Sequence, residues 1–174
     1  MRRAAFGLGA NLGDAEAALA SAVAGLRAEV GVGAVRVSSL YRSAPVGGPA
    51  QPDYLNAVAI ADTELPSAAL LDLAHRLEQR RGRVREVRWG PRTLDVDILA
   101  VGGEESSDPV LTLPHPRAHQ RAFVMVPWAE VDPDFEIPGV GSVHEACDRL
   151  SREDRSAVAV LRSGPWPAGS GGPS

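Results

Sequence analysis

The apolar positions of this 174-residue chain change period several times, and each change marks an element. Residues 4–10 are an apolar run that stops at Asn11-Leu12-Gly13-Asp14, a turn whose last residue can cap a helix. Alanine-rich residues 15–29 then place Leu19, Val23 and Leu26 at helical spacing. Val35 to Tyr41 reads as a strand. Residues 42–53 hold three prolines and two glycines, which predicts a loop without regular structure. Tyr54 to Thr63 alternates as a strand. Pro66 opens a helix with Leu70, Leu71, Leu73 and Leu77 as its buried stripe, and Gly82 closes it. A further strand is expected over Leu94–Val101, and helical patterns recur over Arg117–Val131 and His144–Leu150. The order β-α-β-loop-β-α-loop-β predicts an α+β fold, the ferredoxin-like βαββαβ antiparallel sheet with additional C-terminal helices. Residues 1–162 are expected to form one domain. The Gly/Pro/Ser-rich tail 163–174 is expected to be disordered, with Trp166 alone in it.

Composition narrows the setting. The length suffices for a real core. Cys147 is the single cysteine, so no disulfide framework exists and a reducing compartment fits. Met-Arg-Arg and the short apolar run after it do not make a signal peptide, and no run approaches membrane-spanning length. A soluble, cytoplasmic protein that binds no membrane is expected. Lysine is absent. From Arg76 to Arg92 seven arginines stand against Glu78 and Glu86, a local +5 in a chain of net −4, which leaves −9 elsewhere. A local positive field on an acidic chain suits a small polyanion better than nucleic acid, which requires a broad basic face. Arg76 and Arg80 read as a solvated helix face.

The chemistry concentrates between Arg88 and Leu99: Arg-Trp-Gly-Pro-Arg-Thr-Leu-Asp-Val-Asp-Ile-Leu. On a strand, Asp95 and Asp97 point to one face, roughly 6.7 Å apart along the backbone. Leu94, Val96 and Ile98 then face a core. Carboxylates suit Mg²⁺ and arginines suit phosphate, so the pair suggests a nucleotide polyphosphate bound through metal. Oxygen-only ligation argues against zinc or copper. Taken alone, Asp-x-Asp is as readily a polar strand edge, and it also occurs in glycosyltransferases that hold a nucleotide-sugar diphosphate.

Four blocks extend that motif: Gly7-Leu8-Gly9-Ala10-Asn11-Leu12-Gly13-Asp14; Tyr41-Arg42-Ser43 with Gln51-Pro52-Asp53-Tyr54-Leu55-Asn56; Glu78 with Gly82-Arg83-Val84-Arg85 and Arg88 to Asp97; and Leu113-Pro114-His115-Pro116-Arg117 with Arg121-Ala122-Phe123. Through them the chain resembles the hydroxymethyl-dihydropterin pyrophosphokinases of folate biosynthesis over nearly its whole length. The resemblance implies transfer of pyrophosphate from ATP to a hydroxymethyl-dihydropterin, with two Mg²⁺ ions on Asp95 and Asp97. It places the pterin between Tyr54 and Phe123, read by Asn56 and walled by Ser43, Val46 and Gly47. It assigns the nucleotide to Arg83, Arg85, Arg88, Trp89, Arg92, Ile98, Thr112, His115 and Arg121, with Arg83, Arg92, Asp95 and Asp97 as the catalytic set. Glu78 is expected at the ribose or adenine, or else paired with an arginine. Ala10 and Ser43 depart from the family's usual serine and threonine.

The residues themselves add weight. Tyr54 and Asn56 share a strand face, so one can stack while the other hydrogen-bonds. Arg121 at a helix start opposes the helix dipole unless a phosphate sits there. Gly82 and Gly90 bracket like charges, so the loop 82–91 is expected to close over ATP with Trp89. His75, His119 and His144 read as structural. The chain is expected to act as a monomer. Two rivals remain at this point: a single-stranded RNA-binding sheet, which wants several exposed aromatics, and a non-catalytic regulatory domain.

Overall fold

The computed structural model describes residues 1–45, 50–80, 93–163 and 166–167. In chain order these form β1 (Arg2–Ala10), α1 (Ala15–Ala28), β2 (Val32–Val37), β3 (Leu40–Ser43), β4 (Tyr54–Thr63), α2 (Ser67–Arg80) and β5 (Asp95–Val101). Then come a small hairpin, β6 (Ser106–Asp108) with β7 (Leu111–Leu113), a 3₁₀ turn at Ala118–Gln120, and α3 (Ala122–Val131). Finally β8 (Glu136–Ile137) pairs with β9 (Gly141–Ser142), followed by α4 (Val143–Asp148), α5 (Arg152–Ser156) and β10 (Ala159–Arg162).

The main sheet runs β10-β3-β4-β1-β5, with β2 also on β4, and every pairing is antiparallel. Helix starts follow their caps: the Asp14 side chain accepts from Ala17 N–H at 3.0 Å, and the Pro66 carbonyl accepts from Ala69 and Leu70. Helices α1 and α2 cover one face, where Leu19, Val23, Leu26, Leu70, Leu73 and Leu77 pack on Phe6, Leu8, Val96 and Ile98. The two helices meet at Gly25, where a Cβ would lie 2.2 Å from a Leu77 methyl and would force Leu77 to move. Helices α3 and α4 cover much of the other face through Met125, Trp128, Val143 and Ala146. Burial on both sides explains why β4 is buried continuously from Asn56 to Ala61 despite its alternating sequence. It also removes the open aromatic face that a single-stranded RNA would need.

The strand expected over Val35–Tyr41 is two strands, and Arg42 and Ser43, expected in a loop, end the second. Val37 pairs with Ala59 but Tyr41 with Asn56, so the register slips by one residue between them. At the slip, the Ser38 hydroxyl accepts from Val58 N–H at 3.0 Å and donates to the Ser39 carbonyl at 2.8 Å. A serine side chain thus replaces a ladder bond, which hydrophobic periodicity cannot signal. Arg76, expected to be solvated, pairs with Glu29 at 2.8 Å across α1 and α2.

The C-terminal segment holds structure that local pattern did not announce. β10 adds to the outer edge of β3 although its four residues are all exposed. Arg162 donates to Glu16 at 2.8 Å. Trp166, expected in a disordered tail, is 4 % exposed, packs with the α1/α2 core and reaches Glu16 with its ring N–H at 3.4 Å. Among the described residues no helix is long and apolar enough to cross a membrane.

Candidate active site

Beside the N-terminal end of α3, the second sheet face carries a cleft of about 730 Å³. Its floor follows from strand register. Gly9 of β1 lies opposite Asn56 on β4 and Asp95 on β5; Gly7 lies opposite Val58 and Asp97. Opposed residues in an antiparallel ladder share a face. The floor therefore reads amide, gap, carboxylate in one row and valine, gap, carboxylate in the next. Glycine makes the gap. A Cβ at Gly7 would come within 3.2 Å of Leu99, and one at Gly9 would face Asn56 Oδ1 at 3.6 Å.

Around the floor stand side chains from separate parts of the chain. Asn56 is buried and its Nδ2 donates to Ser43 Oγ at 2.8 Å, which fixes the amide orientation. Tyr54 and Phe123, the latter from the first turn of α3, both line the cleft. Arg121 caps α3 with extended backbone, and its guanidinium carbon sits 5.8 Å from the centre of the Phe123 ring. Of the expected site residues, the cleft brings together Ser43, Tyr54, Asn56, Asp95, Asp97, Arg121 and Phe123.

β5 ends the sheet, so its outer edge needs other partners. Glu78 supplies one: it is 4 % exposed and its Oε2 accepts the Val96 N–H at 2.8 Å, between the two aspartates. The His115 N–H supplies another, donating to the Leu99 carbonyl at 2.8 Å. Glu78, expected at the nucleotide or on an arginine, is thus found beneath the strand that carries the acids. Leu94, Val96 and Ile98 face the α1/α2 core as the alternation predicts. Thr112, on the β6–β7 hairpin, donates its hydroxyl to the Asp108 carbonyl at 3.0 Å. Neither Ile98, Thr112 nor His115 lines the cleft itself.

His115 Nδ1 accepts the Arg117 N–H at 3.2 Å, so the neutral ring carries its proton on Nε2 and donates from there. Burial lowers its pKa, and the positive charge of Arg121 lowers it further, against a smaller opposing pull from Asp95. The fold therefore prefers neutral imidazole. Below the ordinary value of 6.5 the unfolded chain takes up a proton that the folded chain resists, so stability falls as the medium is acidified. His115→Gln should flatten this part of the profile. Urea midpoints measured at pH 7.5 and 5.5 check it: the wild-type loss should exceed that of the variant.

Val46, Gly47, Arg83, Arg85, Arg88, Trp89 and Arg92 lie outside the described residues, as does the loop expected to close over ATP. Sequence reasoning did not single out several lining residues: Gly7 and Gly9 as floor, Arg117 and Gln120 at the rim, and Asp154, Ala157 and Val158. Glycines two apart in a strand were a signal for the first pair. The last three arrive with the β10–β3 pairing, whose partner strand the short apolar run at 157–161 does not name.

The donor set fits magnesium. Among the described residues no group of three or more histidine, cysteine or carboxylate ligands occurs. Mg²⁺ commonly takes only one or two carboxylates and completes its shell with water and substrate phosphates. Two aspartates beside an open floor meet that need.

Residues 5–133 match the family model for 7,8-dihydro-6-hydroxymethylpterin-pyrophosphokinase. The chain belongs to this family. A 2-amino-4-hydroxy-6-hydroxymethyldihydropteridine pyrophosphokinase of Methylorubrum extorquens is 47 % identical over 150 residues, covering 86 % of this chain and 94 % of that one. The protein of the same name from Mycobacterium tuberculosis H37Rv is 38 % identical over 175 residues, covering 93 % and 91 %. Among solved structures, a Plasmodium falciparum HPPK-DHPS is similar at TM-score 0.60 and 12 % identity, over 84 % of this chain and 44 % of that one. At that identity the likeness speaks for the fold, and this chain spans under half of that protein. A hydroxymethyldihydropterin pyrophosphokinase built on this sheet has both acids and the buried amide in adjoining positions across β1.

Proposed function

We propose that the cleft transfers the β,γ-pyrophosphoryl group of ATP to the hydroxymethyl oxygen of 6-hydroxymethyl-7,8-dihydropterin. The hydroxyl oxygen bonds to the β-phosphorus as its bond to the α-phosphate bridging oxygen breaks. AMP leaves, the hydroxyl proton passes to solvent or to Asp97, and the pterin diphosphate enters folate synthesis. One observation carries the reading: a buried, oriented amide and two carboxylates share one floor, separated only by glycine.

The pterin stacks between Tyr54 and Phe123 while Asn56 reads its hydrogen-bonding edge and Ser43 and Val46 wall it. Stacking of this kind contributes roughly 1–3 kcal/mol for a nucleobase, and a pterin ring presents a similar surface. Asp95 and Asp97 would hold two Mg²⁺ ions. Bound there, the metal neutralises phosphate charge and helps ionise the attacking hydroxyl. Arg121 and the Nε2–H of His115 bind phosphate, which also relieves the conflict between Arg121 and the α3 dipole. Arg83, Arg85, Arg88, Trp89 and Arg92 complete the nucleotide site. Thr112 and the main-chain groups of Ile98 border it, the Ile98 side chain being in the core. Glu78 serves this site by holding the Val96 peptide. Positioning and charge neutralisation suffice for such a transfer, with no strong general base.

Action as a monomer in the cytoplasm is part of this reading, and the free Cys147 thiol fits a reducing compartment. The test is AMP production from ATP with purified protein. AMP should appear only when Mg²⁺ and the hydroxymethyl-dihydropterin are both present, in equal amount with the pterin diphosphate. ADP as product, or nucleotide turnover indifferent to the pterin, would remove the proposal.

A further inference from the structure

Helix α3 carries Phe123 and Arg121 at its start, yet its packing is almost wholly apolar, and apolar burial is non-directional. Direction comes from the other end. Glu130, one residue before the end of the helix, accepts three hydrogen bonds from the sheet. Its Oε1 takes the Ser39 N–H at 2.9 Å and the Tyr41 hydroxyl at 2.6 Å, and its Oε2 takes the Ser39 hydroxyl at 2.8 Å. Burial raises the Tyr41 pKa first and the Glu130 contact raises it further, so the phenol stays a donor at working pH. A carboxylate there opposes the helix dipole, as Arg121 does at the start, and the Arg36 guanidinium on the Val131 carbonyl at 3.2 Å answers it only in part. The Glu130 contacts offset that conflict with directional bonds to β3.

Those bonds end on the strand that also serves the cleft. The chain runs from the Glu130 contacts at Ser39, just before β3, and Tyr41 within it to Ser43, whose hydroxyl orients Asn56. The other end of α3 carries Phe123, which lines the same cleft as Tyr54, the residue paired with Ser43. Helix and strand thus both lead from the Glu130 contacts to the cleft.

We infer that Glu130 is a positioning residue that sets the gap between Phe123 and the Tyr54–Asn56 wall, and so the affinity for a flat heteroaromatic substrate. The inference rests on the pterin reading of the cleft. It does not involve the carboxylates of β5.

The test uses the full chain with Glu130→Gln, Tyr41→Phe and Phe123→Ala, alone and combined, reading pterin affinity by the quenching of intrinsic fluorescence and MgATP affinity by calorimetry. Glu130→Gln should weaken pterin binding about tenfold, and Tyr41→Phe, which keeps the ring and loses one bond, about threefold. MgATP affinity should move by less than about twofold. Once Phe123→Ala has removed the stacking ring, adding Glu130→Gln should cause little further loss of pterin affinity, the non-additivity expected of coupled residues. Equal losses for both ligands, or additive losses in the double variant, would overturn the inference and leave Glu130 a stability residue only. If Glu130→Gln fails to fold, Tyr41→Phe with its own Phe123→Ala pair decides by the same criteria. Absence of pterin binding by the wild type would instead bring down the functional reading itself.

Discussion

Asp97→Asn lowers kcat by about a thousandfold or more while the protein stays folded, because catalysis here depends on charge neutralised by bound metal. The substitution preserves shape and removes one of the two anionic groups on the cleft floor. Asp97 is only half-buried and lines an open cleft, and Asn keeps its size and an acceptor oxygen, so the fold does not depend on its charge. The melting temperature should therefore stay within a few degrees of wild type. Steady-state AMP formation at saturating ATP, beside a thermal melt, measures both effects. Activity within tenfold of wild type would dismiss the acids as the metal site. Collapse of the melt would show instead that the pair is structural.

Glu78→Leu is expected to have the next largest effect, although Glu78 does not line the cleft. Its Oε2 accepts the Val96 N–H, and Val96 lies between the two aspartates. Removing the acceptor leaves a buried N–H unsatisfied at the sheet edge, a loss of about 1–3 kcal/mol, and frees the peptide that aims both acids. Residues that orient metal ligands typically change metal affinity or activity by about 10–100-fold when lost. Glu78→Gln keeps a carbonyl acceptor and removes the charge, so it should retain activity within a few-fold of wild type. Manganese titration by electron paramagnetic resonance, in the presence of a nucleotide analogue, reads the site without turnover. Unchanged Mn²⁺ affinity in Glu78→Leu would mean that β5 holds its own geometry.

Much of the fold was legible because its elements are locally consistent. The α1 cap at Asp14, the Leu70–Leu77 stripe and the alternation of Asp95–Ile98 each satisfy a short-range rule, and the structure follows them. The slip at Ser38–Ser39 was not legible, because a hydroxyl took the place of a ladder bond. β10 was also missed: residues 157–161 are a short apolar run, but all four β10 residues are exposed, so strand pairing rather than burial places them. Trp166 gave a hint of burial, but its partners Glu16 and the α1 core lie about 150 positions away in the chain.

The candidate site divides in the same way. Residue identities announced the chemistry: paired acids for a hard cation, arginines for phosphate, and an amide beside an aromatic ring for a polar heterocycle. Those choices are local, since a side chain's donor set and the two-residue period of a strand are present in the linear order. Only tertiary structure brought Asn56 and Asp95 to either side of Gly9, gave Glu78 the Val96 N–H of β5 to hold, and tied the Phe123 helix to the sheet through Glu130. Strand register and helix docking settle such matters. Both depend on contacts between segments far apart in the chain, whose loop-closure entropy leaves no trace in any short stretch of residues.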